Sequence, residues 1–162
     1  MSTLITILVA TMSGTAEMVA EEMAGSLKEQ SVRARIAMMD EVSIGELTEG
    51  DYLICSSTYG TGDVPDNGKR LYESLRAHRP VLRGIRYGVF GLGDSVYPNT
   101  FCFGAKQFDE LFSELGAVRI GSQFYHDRRS TVYPEDAAVE WVRTWLTALS
   151  ATATSSCREP QT

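Results

Sequence analysis

A chain of 162 residues with 43% hydrophobic content is the size of one ordinary domain and carries enough apolar surface to bury a core. Its 15 basic and 21 acidic residues leave a net charge of −6 and an isoelectric point near 4.9, the wrong sign for a surface that must hold a nucleic-acid backbone. The uncharged opening stretch is interrupted by Thr, Ser and Gly and has no basic residue before it, so neither a membrane span nor a secretory leader is expected.

Leu4 to Ala10 is an apolar run rich in β-branched residues, closed by Thr11, Ser13 and Gly14. Behind it Ala16, Val19, Met23 and Leu27 recur at helical spacing, which predicts a strand, a tight turn and a helix. Val32 to Met38 alternates apolar and charged residues as a half-buried edge strand does, and Ser43 with Glu46 three places on predicts a capped short helix. Tyr52 to Ser56 reads as a strand that runs into a polar, glycine-rich stretch from Ser57 to Gly68. Leu71, Leu75 and His78 restore helical spacing, and Tyr87 to Leu92 is a further strand with a second glycine-rich loop behind it. Phe101 to Leu115 is expected to be helical and Val118 to Phe124 to be the last strand. Ala138, Trp141, Val142, Trp145 and Leu149 form the buried face of a closing helix.

Strands that alternate with helical crossovers require a parallel sheet covered on both faces, so the predicted class is three-layer α/β. Residues 1–150 are expected to form the domain, and 151–162, without apolar periodicity, a disordered tail carrying Cys157 as an incidental thiol. Cys55, Cys102 and Cys157 are odd in number and form no Cys-x-x-Cys pair, which points to a reducing cytoplasm and away from a disulfide framework or a zinc site.

Ligands of open parallel sheets bind beyond the carboxyl ends of the strands, where the strand order reverses. Three loops at that edge are unusual. Thr11-Met12-Ser13-Gly14-Thr15-Ala16 packs hydroxyls and a glycine into the turn that opens a helix, so amides and helix dipole can face one anion; simple helix capping explains the same composition. The loop lacks the lysine of phosphoryl-transfer sites. Ser57-Thr58-Tyr59-Gly60-Thr61-Gly62 and Gly91-Leu92-Gly93-Asp94-Ser95-Val96-Tyr97 each set an aromatic residue beside two glycines, so that Tyr59 and Tyr97 can clamp a planar ring or serve as packing residues.

Competing motifs fail. Gly62 to Gly68 is one residue too long for a nucleotide-binding G-x-x-x-x-G-K, and neither Gly60-Thr61-Gly62 nor Gly91-Leu92-Gly93 has the third glycine of a dinucleotide fingerprint. A serine-hydrolase reading of Ser95 needs a histidine base; His78 falls in a helix remote from the site, and His126 is expected in the loop after the last strand.

Taken together, the three loops resemble those of the flavodoxin family, above all its short standalone bacterial members and the FMN domains of diflavin reductases, over Leu4 to about Leu149. Thr11-x-Ser13-Gly14-Thr15-Ala16 is similar to the family's phosphate loop; Ser57-Thr58-Tyr59-Gly60-x-Gly62 with Pro65-Asp66-Asn67, and Gly91 to Tyr97 with Phe101-Cys102, are similar to its two flavin loops. The resemblance implies a short-chain, doubly wound five-stranded sheet ordered 2-1-3-4-5, the order for which flavodoxin is itself a reference example. It also implies FMN held by Thr11, Met12, Ser13, Gly14, Thr15, Ala16, Ser57, Thr58, Tyr59, Gly60, Thr61, Gly62, Leu92, Gly93, Asp94, Tyr97, Phe101 and Cys102, with Tyr59 and Tyr97 flanking the ring. The function so implied is single-electron transfer between a reductase and an acceptor, without a substrate of its own. Asp63, Asp66 and Asp94 are expected near the ring, where negative charge disfavours reduction. A monomer that docks a basic, NADPH-dependent reductase through its acidic surface is the partner expectation. The rivals are an NAD(P)H:quinone-type flavoenzyme and a flavin-free interaction module on the same fold.

Overall fold

Side chains of a strand alternate between its two faces, and in the first strand both faces are apolar. In the computed structural model, which describes residues 4–11, 14–58, 64–97 and 99–158, β1 (Leu4–Ala10) sends Ile5, Ile7 and Val9 into one core and Leu8 and Ala10 into the other. That two-sided burial is the mark of a central parallel strand. The remaining elements follow as α1 (Thr15–Glu29), β2 (Arg33–Met38), β3 (Gly50–Ser56), α2 (Asp66–His78), β4 (Ile85–Gly93), α3 (Phe103–Glu114), β5 (Val118–Arg119), β6 (Phe124–Asp127) and α4 (Pro134–Arg158). All strand pairings are parallel, in the order β2-β1-β3-β4-β5 with β6 also on β4.

Two cores sandwich the sheet. Val19, Met23 and Leu27 of α1 and Trp141, Val142 and Trp145 of α4 pack on Ile7, Leu53 and Phe90. Leu71 and Leu75 of α2 and Phe108, Leu111 and Phe112 of α3 pack on Leu8, Ile54 and Val89. Each such side chain removed from water contributes about 1.5–3 kcal/mol before conformational entropy is counted. Between β2 and β3 lie two single-turn 3-10 helices, Met39–Glu41 and Ile44–Glu46, the second with the expected Ser43–Glu46 capping box.

The last strand departs from the sequence expectation. Val118 to Phe124 is not one strand: β5 pairs Arg119 with Tyr87, β6 pairs Phe124 with Phe90, and Ile120 to Gln123 lie between the two segments. Five steps along this edge thus match three along β4, so two residues are looped out, at the point where Gly121 takes φ +66°. The sheet keeps five strand positions, the fifth filled by two segments. His126 is accordingly inside β6 and buried, not in a following loop, because the displaced register carries the strand through Asp127.

Two helix boundaries also differ. Helix α3 begins at Phe103 and not Phe101, because Cys102 takes a left-handed conformation, φ +54°. Helix α4 continues through Arg158, past the Ser150 at which apolar periodicity ends; Ala151 and Thr152 contain no breaker, and Thr152 Oγ1 donates to Ala148 O at 3.0 Å. No helix among the described residues is long and apolar enough to cross a membrane.

Candidate functional site

Parallel strands deliver their following loops to one edge. β1, β3 and β4 end in register there, with Ala10 beside Ser56 and Ser56 beside Gly91, and the chain departs from β1 to β2 on one side and to β3 on the other. A cavity of about 800 Å³ opens at this reversal, within the range that takes a cofactor-sized molecule. Thr15, Ser57, Thr58, Leu92, Gly93, Asp94 and Tyr97 line it, bringing together one or more residues from each of the three loops singled out in the sequence.

The first loop is held open from behind. Thr11 N–H donates to Asn67 Oδ1 at 2.7 Å, and Asn67 Nδ2 donates to Val9 O at 3.1 Å, so one α2 side chain ties down the end of β1. Thr11 Oγ1 accepts the Gly14 amide at 3.0 Å. Gly14 enters α1 with φ +89°, a conformation that glycine adopts without strain, and offers no side chain to cap the helix. Helix amides and hydroxyls therefore gather at an end where the macrodipole favours an anion. Ala16 is fully buried and its carbonyl accepts the Cys55 thiol at 3.4 Å, so it can offer a ligand only backbone. Met12 and Ser13 lie outside the described residues.

The second loop is braced by α3. Thr58 Oγ1 accepts the Gly104 amide at 3.0 Å, and a Cβ at Gly104 would collide with Ser57 O. Only glycine lets helix and loop approach so closely. Tyr59, Gly60, Thr61 and Gly62, together with Asp63, fall outside the described residues.

In the third loop Leu92, Gly93, Asp94 and Tyr97 reach the cavity, and Tyr97 is 62% exposed, an aromatic side chain at the cavity wall. Phe101 and Cys102 are not in the lining. Phe101 is half-buried with Lys106 Nζ 5.9 Å from its ring centre, and Cys102 is fully buried with its thiol 3.7 Å from His126 O. Burial pushes the Cys102 thiol up to about 12, as it does Cys55, so both are neutral at physiological pH.

A fourth loop, between β6 and α4, completes the wall and was missed in the sequence. Arg128, Ser130, Thr131, Val132, Tyr133 and Pro134 line the cavity together with His126 and Thr100. The loop is fastened to the third: Arg128 N–H donates to Gly93 O at 2.8 Å, Ser95 N–H donates to Asp127 Oδ1 at 3.0 Å, and His126 Nε2 lies 2.8 Å from Val132 O. Its one legible signal was the pair Arg128-Arg129 in an acidic chain. Asp94 accepts the Val96 amide and the Arg129 guanidinium, which hold its carboxyl below the usual range. Its charge is thus already answered by a cation. Asp66, likewise, is exposed on α2 and paired with Lys69 at 3.2 Å.

The donor set suits a molecule with an anionic tail and a flat body: hydroxyls and amides at the α1 end, an exposed phenol and backbone at the other, and no group of His, Cys, Asp and Glu able to hold a metal among the described residues. Residues 7–154 match the sequence model of the family described as Flavodoxin. The chain is 38% identical over 145 residues to Flavodoxin YqcA of Escherichia coli, a match covering 89% of this chain and 97% of that one. It is 39% identical over 117 residues to the inducible nitric oxide synthase of Gallus gallus, covering 72% of this chain but 10% of that much longer protein. The solved structure of a cysteine-to-alanine mutant of a flavodoxin from Pseudomonas aeruginosa superposes with a TM-score of 0.80 at 36% identity, over 91% of this chain and 99% of the other. Sheet order, loop placement and sequence agree, and the chain belongs to the flavodoxin family, the FMN-binding electron-transfer proteins.

Proposed function

We propose that FMN lies in the 800 Å³ cavity with its phosphate at the start of α1 and its ring against Tyr97, and that electrons reach it from a basic, NADPH-dependent reductase. The observation that carries this reading is the juxtaposition of the uncapped, glycine-entered helix with a cavity whose far wall holds an exposed tyrosine. When bound, FMN supplies the one-electron chemistry. The chain supplies the grip and the surroundings. Thr15, Ser57 and Thr58 offer hydroxyls near the phosphate end, Asn67 fixes the first loop, and Gly104 admits the second. Met12, Ser13, Tyr59, Gly60, Thr61 and Gly62 extend the same two loops and belong to the proposed site by their position in the sequence.

A net charge of −6 supports docking to a basic partner through weak, electrostatically steered encounters, by a monomer in the cytoplasm. The test is the visible spectrum of the purified chain, with the released cofactor identified by mass, followed by titration of the stripped protein with FMN. A yellow protein releasing FMN, re-bound at about one per chain, is expected; a colourless chain that takes up no FMN would overturn the reading. Reduction by a basic reductase should slow as salt rises, and a rate insensitive to salt would overturn the docking part alone.

A further inference from the structure

Among the described residues of the cavity wall, one cation stands without a partner in a chain of net negative charge. Among the described cavity-lining residues only Asp94 and Arg128 carry a full charge, and Asp94 is committed: its Oδ1 accepts Arg129 Nε at 3.0 Å. Arg128 is not. Its guanidinium makes no hydrogen bond or ion pair among the described residues, while it lines both the cavity and the adjoining opening framed by Asp94 and Arg129. Its backbone is nevertheless fixed, since the Arg128 amide is bonded to Gly93 O at 2.8 Å. A long cationic side chain is therefore anchored at the wall of the cavity with its head unspent, in a chain whose net charge is −6. Of the other titratable groups at the fourth loop's base, His126 is buried and turned to Val132 O at 2.8 Å, and Asp127 Oδ1 accepts the Ser95 and Arg129 amides at 3.0 Å each.

We infer that Arg128 tunes this flavodoxin by favouring reduced over oxidised FMN, an inference that rests on the cofactor position proposed above. Two electrons and one proton taken up by FMN, the electrons coming from a redox partner or from dithionite, leave its ring system with one more negative charge than before. A cation at the cavity wall attracts that charge, whereas the acids of the surface repel it. Arg128 thus opposes the field that net charge alone would set, and the reduced state is easier to reach than the composition implies. The effect requires no contact with the ring. It requires only that the guanidinium and the ring share the cavity.

The experiment compares the intact chain with Arg128→Gln and Arg128→Lys. Dissociation constants for oxidised FMN are measured by fluorescence quenching, and those for dithionite-reduced FMN anaerobically by the same titration. Arg128→Gln should leave oxidised FMN bound within about twofold and weaken reduced FMN by about threefold to tenfold, the effect of one charge across roughly 10 Å at effective dielectric 20 to 40, weakened by solvent. Arg128→Lys, which keeps the charge, should stay within about twofold for both states. The difference should shrink between about 0.01 M and about 1 M salt as the Debye length falls. Equal weakening of both states would make Arg128 a simple binding residue and overturn the inference, as would an unchanged ratio with oxidised FMN still tightly bound. If the unaltered chain binds no FMN at all, the cofactor reading falls first and this inference with it.

Discussion

Arg129 Nε lies 3.0 Å from Asp94 Oδ1, an ion pair that joins the loop after β6 to the loop after β4 across the mouth of the cavity. Asp127 doubles the tie from the other side, accepting amides from Ser95 and Arg129 at 3.0 Å each. Both carboxyls are held below the usual carboxylate range: Asp94 first by the Val96 amide, Asp127 first by the Ser95 hydroxyl. A depressed carboxyl contributes its stabilisation in full above the unfolded value and loses it only as pH falls through the lower folded value. The mouth should accordingly stay closed, and FMN stay bound, down to about pH 4, with release below that. FMN fluorescence followed beside far-ultraviolet circular dichroism measures this. In Asp127→Asn FMN should already bind more weakly at neutral pH and its release should depend less on acid, and identical profiles for the two proteins would refute the tie.

Gly104 allows a prediction that separates binding from folding. A methyl group there collides with Ser57 O and stands 3.3 Å from the Thr58 Cα, both backbone, so the second loop must shift. Gly104→Ala should weaken FMN by about tenfold or more and cost the stripped protein about 1–3 kcal/mol. Titration calorimetry and urea unfolding read the two quantities, and unchanged affinity would show that this loop does not touch the cofactor.

Asn67 acts on the first loop at one remove. Its side-chain amide accepts from Thr11 N–H and donates to Val9 O, so both bonds at the end of β1 are lost together when it is truncated. Asn67→Ala should cost about 1–3 kcal/mol in unfolding free energy and reduce FMN affinity about tenfold. Inorganic phosphate, which needs the loop but not the ring wall, should lose protection in the same variant, as measured by the shift in thermal midpoint. A variant as stable and as tightly binding as the unaltered chain would remove Asn67 from the site.

Away from the cavity, Tyr87 Oη donates to Asp109 Oδ1 at 2.7 Å, and Asp109 Oδ2 meets Arg119 Nη1 at 2.6 Å, a link between β4, α3 and β5 that is buried at Tyr87 and Asp109 and exposed at Arg119. Burial, aided by Asp109, pushes the Tyr87 phenol far above its ordinary range. Asp109→Ala removes the carboxylate that Arg119 and the Tyr87 phenol share, while the phenol keeps Asp109 O at 3.0 Å, and should cost about 1–3 kcal/mol, whereas Tyr87→Phe should cost about 1 kcal/mol. Chemical denaturation ranks the two, and the reverse order would contradict the network.

The α/β alternation was legible because hydrophobic period reports burial directly: Ile5, Ile7 and Val9 against Leu8 and Ala10, then Val19, Met23 and Leu27. Three cavity loops were legible because glycines and hydroxyls cluster where the chain must turn close to a ligand. The fourth loop was not, since Asp127 to Tyr133 is ordinary polar composition and becomes a wall only when β6 is carried past β5 to lie beside Phe90. That displacement depends on two looped-out residues near Gly121, which no periodicity announces because β5 is only two residues long and both are exposed. The same slip turned His126 from an expected loop residue into a buried strand residue. Phe101 and Cys102, expected at the cofactor, sit outside the described lining because Cys102 is used to start α3 and Phe101 to stack with Lys106.

The split edge between Arg119 and Phe124 also makes a natural socket. Gly121 and Ser122 are exposed, and the ladder is already interrupted there, so a peptide tag or a small reporter grafted between them would disturb no strand pairing. A chain carrying such a passenger would keep its prosthetic pocket and present the cargo on a rigid mount, with Trp141 Nε1 bonded to Ser122 O at 3.0 Å as the hinge pin.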